Sequence, residues 1–349
     1  MNGTIQHSDG LTAHERQLFR DVETHRQDYD DIIRQFSKII APIGILLNSI
    51  FLFVVIRVKS MHTIINVYLS NLAVADAAYL IICMSVAWAL EYTHIASGTC
   101  TSLAVRIAST TMQIASYGFV AVIAVERFSA VRQPLTQRVR ASKSRAAKLS
   151  AGVWVAAVVM GVLSGLASDY NYVRNLAFTQ MYVVIVLLIY LAAFTITITS
   201  YIYIVIKLCH SDRERQAGQT RRVYPVVRML VINTAVFFVL SLTDSALQIM
   251  YLVLLFFHKG AEAVIDIYWT ITDVSVCAGI IRLVNSSINT LVYSVTNSQY
   301  RAAFLEAFPP LAKLLRQCRH GRRPQQTEQI ELRAIPPANA AQESPAQAQ

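Results

Sequence analysis

Charged residues are scarce in this 349-residue chain: they make up 15% of it, while 54% is hydrophobic. An average soluble domain carries about a quarter charged residues. The charges that exist fall mostly in gaps between long apolar runs, and about 20 consecutive apolar residues are enough to cross the hydrocarbon core of a bilayer. Cysteine is sparse too. Cys83, Cys100, Cys209, Cys277 and Cys318 are scattered, without metal-ligand spacing. No GxGxxG loop, Walker-type loop or HExxH pair occurs, so nothing points to nucleotide or zinc-hydrolase chemistry, and no catalytic residue is assigned. Internal repeats are lacking, which weighs against the inverted-repeat plan of many transporters. The first 35 residues hold no apolar stretch of the kind a cleavable signal peptide needs, leaving the first apolar run as the expected targeting signal. The net charge of +10 reflects basic residues flanking membrane spans on the cytoplasmic side, not nucleic-acid binding.

What is present is a series of seven apolar runs: Phe36–Val58, Ile64–Leu90, Thr99–Val131, Ala147–Ala167, Ala177–Leu208, Val226–Phe257 and Asp266–Ser294. They predict an all-α membrane protein, a seven-transmembrane helix bundle over residues 36–294. A polar segment, 1–35, precedes it and carries an N-glycosylation acceptor at Asn2, in Asn2-Gly3-Thr4. Lys and Arg crowd alternate gaps, with Arg132, Arg138, Arg140, Lys143, Arg145 and Lys148 between spans three and four, and Arg213, Arg215, Arg221 and Arg222 between spans five and six. The opposite gaps hold only Arg174 and Lys259, and acids outnumber basic residues in the N-terminal segment. The positive-inside rule therefore puts the N-terminus outside and the C-terminus inside. After span seven, residues 295–318 form an amphipathic region. Within it Asn297–Phe308 reads as a short helix with Tyr300, Phe304 and Phe308 as an interfacial stripe, ended by Pro309-Pro310. Cys318, among Lys313, Arg316 and Arg319, is a palmitoylation candidate beside membrane lipid, with an unmodified thiol as the alternative. Residues 319–349, rich in Gln, Ala and Pro, are expected to be disordered.

Polar side chains inside spans are costly and so carry information. Asn48 lies in span one, Asn71 and Asp76 in span two, Ser116 in span three, and Asn285, Ser286 and Asn289 in span seven. A buried Asn is often an interhelical hydrogen bond. Asp76 asks for more, because a carboxylate at mid-bilayer needs a proton, a cation or donors. Glu126-Arg127-Phe128 closes span three at its inner end.

Taken in order, Gly44-Ile-Leu-Leu-Asn48, NLAVAD, ERF with the following AVRQPL, Trp154, Tyr201, NSSINTLVY (Asn285–Tyr293) and Tyr300-Arg-Ala-Ala-Phe304 resemble the rhodopsin-like G-protein-coupled receptors across the whole membrane portion. The last two stretches are similar to those of invertebrate peptide receptors. The resemblance implies a plasma-membrane receptor that passes an extracellular, peptide signal to a heterotrimeric G protein and is not an enzyme. It implies that Arg127 pairs with Glu126 at rest and meets the G protein when span six swings out, with Phe128 completing the triplet and Tyr201 and Tyr293 moving in to support the arginine. It also implies that Asp76, Ser116, Asn285, Ser286 and Asn289 hold an allosteric sodium ion, with no other cofactor.

Departures from that family are numerous. Ala193, Thr243 and Thr290 stand where helices five, six and seven carry prolines, and Ser241 or Leu242 where a tryptophan floors the pocket. The loop 168–176 has no cysteine, so Cys100 is expected to be unpaired. Ser109 replaces the aspartate of amine receptors, which disfavours an amine ligand. Arg106, Gln113, Asp244, Asp273 and Arg282 remain as pocket anchors for a charged or amidated peptide, or as partners of one another. Arg282, near mid-membrane, wants an acid. Asp244 is the favoured partner and Asp76 the rival. Two other readings of the chain stay open: a divergent or decoy receptor with weak or constitutive coupling, and a seven-helix transporter or channel.

Overall fold

The computed structural model describes residues 13–92, 99–133, 142–168, 176–214, 276–292 and 297–320. Span six, with Asp244, and the segment holding Asp273 lie outside them, as do Tyr293 and Asn2. Every element among the described residues is helical. Span one belongs to a helix that starts at Ala13 and runs to Arg57, far upstream of the apolar run. No glycine or proline interrupts the chain between Ala13 and Pro42, so nothing in the local sequence stops the helix from growing out of the span. A single 3-10 turn, Lys59–Met61, leads into span two, Ile64–Tyr92. Span three is Thr99–Arg132, span four Lys143–Ser168 and span five Leu176–Glu214. The described part of span seven is the helix Val276–Val292.

Five of these helices are long and apolar enough to cross a membrane. The share of residues buried within each is small, from 28% in spans one and five to 44% in span three. Large apolar side chains such as Ile39, Ile56, Val155, Leu166 and Ile206 stay exposed. A helix that is apolar all round and only partly covered by its neighbours has a hydrocarbon solvent on the rest of its surface. The chain is a multi-pass membrane protein. Span three, the most covered, sits at the centre of the described bundle, packed on spans two, four and five, with span one against span two.

Polar ties fix how the helices sit. Trp154 Nε1 of span four donates to Asn71 Oδ1 of span two at 2.9 Å, and its ring meets Phe119 of span three edge-on, centroids 5.8 Å apart. In lipid, where no water competes, such bonds and close backbone approach replace the hydrophobic drive. Gly161 supplies the close approach between spans three and four: a Cβ there would lie 2.7 Å from the Ile107 carbonyl oxygen.

Span five runs through Ala193 as continuous helix. Immediately beyond, Thr195, Thr197, Thr199 and Ser200 donate their hydroxyls to the carbonyls of Leu191, Ala193, Thr195 and Ile196 at 2.6–2.8 Å. Hydroxyls that bond back to the preceding turn weaken and often bend a helix, and this run occupies the stretch that lacks proline.

The short helix Ser298–Ala307 is capped by Asn297 Oδ1, which accepts from Gln299 N and Tyr300 N at 2.9 and 3.3 Å. The interfacial stripe expected here is only partly that. Tyr300 is fully buried and stacks on Phe51 of span one with centroids 5.5 Å apart, because an aromatic ring at a helix start gains more from a packed partner than from the interface. From Phe304 onward the described residues belong to a second unit. In it Pro309 does end one helix, and it also begins another, Pro309–His320, since a proline is pre-shaped for a first helical position.

A test of the span three–four contact follows from the glycines. Gly161→Ala forces a methyl against a backbone carbonyl that cannot rotate away, and a thermal melt of the purified protein should register a loss of about 1–3 kcal/mol. Gly152→Ala, with nothing within 4 Å of the new Cβ, should leave the melt almost unchanged.

Candidate functional site

The buried carboxylate of span two organises the middle of the bundle. Asp76 is 1% exposed. Its Oδ1 accepts from Ser116 Oγ of span three at 2.8 Å, and its Oδ2 accepts from Asn289 Nδ2 of span seven at 2.7 Å. Three residues named from sequence thus meet at one carboxylate, joining three spans. Beside it is a small cavity of about 20 Å³, lined also by Gln113, Arg282, Asn285 and Ser286. Gln113 Nε2 donates to Tyr117 Oη at 3.3 Å within that wall.

Sodium is a hard cation that prefers oxygen ligands, and Asp76, Ser116 and Ser286 are oxygen-bearing. Asn285 lines the same cavity and Asn289 reaches the carboxylate, so oxygen-bearing side chains of three spans surround it. Each carboxylate oxygen already accepts a hydrogen bond from the chain, and a guanidinium lines the same cavity.

Next to this chamber, Asn48 joins span one to span seven. Its Nδ2 donates to Gly44 O and to Ser286 O, both at 2.9 Å, and its Oδ1 accepts from Thr290 Oγ1 at 3.2 Å. Thr290 stands at the third missing proline, and the helix continues through it. Its hydroxyl makes a tie that proline has no atom to make. Gly44 allows the approach, for a Cβ there would overlap Leu80 and Ser287.

At the inner end of span three Glu126 is 6% exposed. Its Oε1 lies 3.3 Å from Arg145 Nη2 at the start of span four and accepts from Tyr68 Oη of span two at 3.4 Å. The family resemblance implies Arg127 as the partner of Glu126; Arg145 and Tyr68 are further partners outside the triplet. Arg145 is set by the helix start: Ser142 Oγ caps its backbone N–H at 3.1 Å. Phe128 meets Tyr203 of span five edge-on at 4.8 Å, with Arg132 over the Phe128 ring and Lys207 over the Tyr203 ring, 5.9 and 5.8 Å from the centroids. Lys207 Nζ also reaches the Arg132 carbonyl at 3.5 Å. Arg127 is half-buried beside this ladder and Tyr201 is buried.

Toward the outer side, Arg106 is exposed and Ser109 half-buried on span three. Their proposed companions Asp244 and Asp273 lie outside the described residues, so the favoured Asp244–Arg282 pair does too. Cys277 is the second residue of the described span-seven helix and, like Cys83, is a free thiol. Cys318 falls within the helix Pro309–His320.

Comparison with known proteins agrees with this geometry. The family model described as "7 transmembrane receptor (rhodopsin family)" matches residues 47–293. Human (Homo sapiens) neuropeptide FF receptor 1 is 24% identical over 299 residues, 75% of this chain and 66% of that protein. Rat (Rattus norvegicus) somatostatin receptor type 4 is 28% identical over 143 residues, 41% and 37% of the two chains. Rat cholecystokinin receptor type A is 32% identical over 120 residues, 34% and 27%. The matches span less than two thirds of each of these relatives. The family match covers well over half of the chain, from the residue before Asn48 to Tyr293, and the chain belongs to the rhodopsin family of seven-transmembrane receptors.

Proposed function

We propose that the chain is a plasma-membrane receptor, N-terminus outside and C-terminus inside, that answers an extracellular peptide by activating a heterotrimeric G protein. The observation that carries this reading is the inner end of span three. A buried Glu126 is tethered there to spans two and four, Phe128 is tethered to span five, and Arg127 stands between them. Such a cluster is a two-state element: its ties hold the inner ends of four spans together, and a ligand that binds better to the parted state shifts the population toward it. Parting exposes Arg127 and the basic rim of Arg132, Arg145 and Lys207 to a cytoplasmic partner. The chain performs no covalent chemistry in this scheme, since nucleotide exchange takes place on the G protein. A peptide ligand is supported by the neuropeptide receptor among the relatives and by Ser109, which supplies no charge for an amine.

The test is a peptide-library screen in cells that express the receptor with a promiscuous G protein. A hit should raise second-messenger output, and Arg127→Ala should abolish that response at unchanged surface expression. A full response from Arg127→Ala contradicts the mechanism.

Arg145→Ala probes the resting tie. One partner of this pair is half-exposed, and such pairs are worth up to about 1 kcal/mol. Ligand-free nucleotide loading of the G protein in membranes should therefore rise, by no more than about fivefold. Unchanged or lower basal loading would show that the pair does not restrain the resting state.

A further inference from the structure

The helix of span one starts at Ala13, while its membrane-crossing part starts only at Asp31. The turns between them form a projection of about 27 Å at 1.5 Å per residue. This projection is amphipathic. Between residues 14 and 35 the apolar residues are Leu18, Phe19, Val22, Tyr29, Ile32 and Ile33, and all the rest are polar. Written as heptads with Val22 and Tyr29 at a, the others take the two adjoining positions, Leu18 and Ile32 at d, Phe19 and Ile33 at e. Positions b, c, f and g carry polar residues alone, and the polar residues among a, d and e are Glu15, His25 and Arg26. Apolar positions alternating three and four residues apart are the pattern of a seam between two helices.

The same register continues into the span, and there the seam faces outward. Ile32, Phe36, Ile39, Ile43, Leu46 and Phe53 fall on a and d and are 41–65% exposed. Ser37, Ala41, Asn48 and Phe51 fall on b and f and are 0–3% exposed. Only the e edge turns toward the bundle: a Cβ on Gly279 of span seven would lie 3.2 Å from Ile33 Cδ1. Within the span, lipid is solvent enough for the a and d face. Beyond the span it is not. No glycine or proline stands between Ala13 and Pro42 at which the helix could fold down onto the membrane surface. An apolar stripe held away from lipid calls for another helix to cover it.

The charges beside the stripe fit a second copy of this chain. Two copies in one membrane share an orientation, so they meet as a parallel pair about an axis along the membrane normal. In a parallel pair, position g faces position e of the partner's next heptad, five residues on. Asp21 holds g and Arg26 holds that e, so the acid of each copy meets the guanidinium of the other, twice by symmetry. Three heptads free in solution would pair only marginally. Two chains anchored in one bilayer meet at a much higher effective concentration. We propose that this receptor self-associates through its first helix, as a parallel two-stranded coiled coil over residues 15–35 that prolongs the exposed face of span one.

The experiment is disulfide cross-linking of the full-length chain at the cell surface, with the wild type as the baseline for its own thiols. Val22→Cys and Tyr29→Cys put thiols at a, where paired Cα atoms come within disulfide range. Each should give a reducible band of twice the monomer mass, severalfold above baseline. Arg20→Cys and Gln27→Cys, at f, should stay at baseline. Charge exchange then identifies the partner. Asp21→Arg and Arg26→Asp, each added to Val22→Cys and expressed alone, set like charges across the seam and should lose most of the band. Expressed together, they set opposite charges across it at both places and should restore the band, a repair open only to a second copy of this chain. The proposal is overturned if a and f positions cross-link alike. It is equally overturned if the a variants reach the surface at wild-type level and give no band above baseline, because another segment or partner then covers the stripe. Should the cysteine variants not reach the surface, co-precipitation of differently tagged receptors carrying the charge exchanges decides. Recovery of the mixed pair over either variant with itself supports the coiled coil, and equal recovery of all three refutes it.

Discussion

A carboxylate buried at the middle of a bilayer has to be satisfied by the chain itself, and the described bundle is arranged around that requirement. Unmet, the charge of Asp76 would cost several kcal/mol. It is met by a hydroxyl from span three and an amide from span seven, each on its own oxygen. Those bonds set the relative depth of three helices as well as their contact, because a hydrogen bond tolerates only a few tenths of an ångström of sliding. The tie of Asn48 to Ser286 and Thr290 then indexes span one to span seven. The tie of Trp154 to Asn71 indexes span four to span two. Apolar packing alone would leave these helices free to slip, since lipid tails are as apolar as leucine side chains.

Three prolines that the family carries are absent, and hydroxyl groups occupy the structural gap where it can be seen. In span seven Thr290 keeps the helix unbroken and uses its side chain to reach Asn48. In span five the run Thr195–Ser200 competes for the carbonyls of the preceding turn, softening the helix without removing a backbone donor. A proline sets a permanent bend. A threonine that can exchange its back-bond for another partner sets an adjustable one. In the proposed mechanism, which moves helices against each other, a softened stretch just outward of Tyr201 is well placed.

How far the sequence foretold this depends on the range of the interaction concerned. Span positions were legible because hydropathy is a local property: the runs starting at Ile64 and Thr99 begin where the helices begin. The convergence of Asp76, Ser116 and Asn289 was legible through family resemblance, and so was the position of Glu126-Arg127-Phe128. Arg145 was not, because it sat among several loop cations with nothing to distinguish it until the Ser142 cap aimed its helix at Glu126. Tyr68 was hidden for a similar reason, being one aromatic in an apolar run. The four-residue spacing of Tyr300 suits the interface and any buried face alike, and the stack on Phe51 decides between the two. Depth along the helices alone leaves both Asp244 and Asp76 within reach of Arg282. The cavity it shares with Asp76 became visible only in three dimensions.

The central claim is that the Asp76–Asn289 contact is a specific donor–acceptor pair holding spans two and seven. A reciprocal exchange tests it most directly. Asn289→Asp leaves two carboxylates facing each other in a buried site, and Asp76→Asn leaves two amides that keep only a weaker, uncharged hydrogen bond. The double exchange restores one carboxylate and one amide across the same 2.7 Å gap. Thermal melts of the four purified receptors should show both single variants destabilised and the double variant restored to within a small part of the wild-type value, a coupling well outside additivity. A double variant as unstable as the two losses added together would contradict the account.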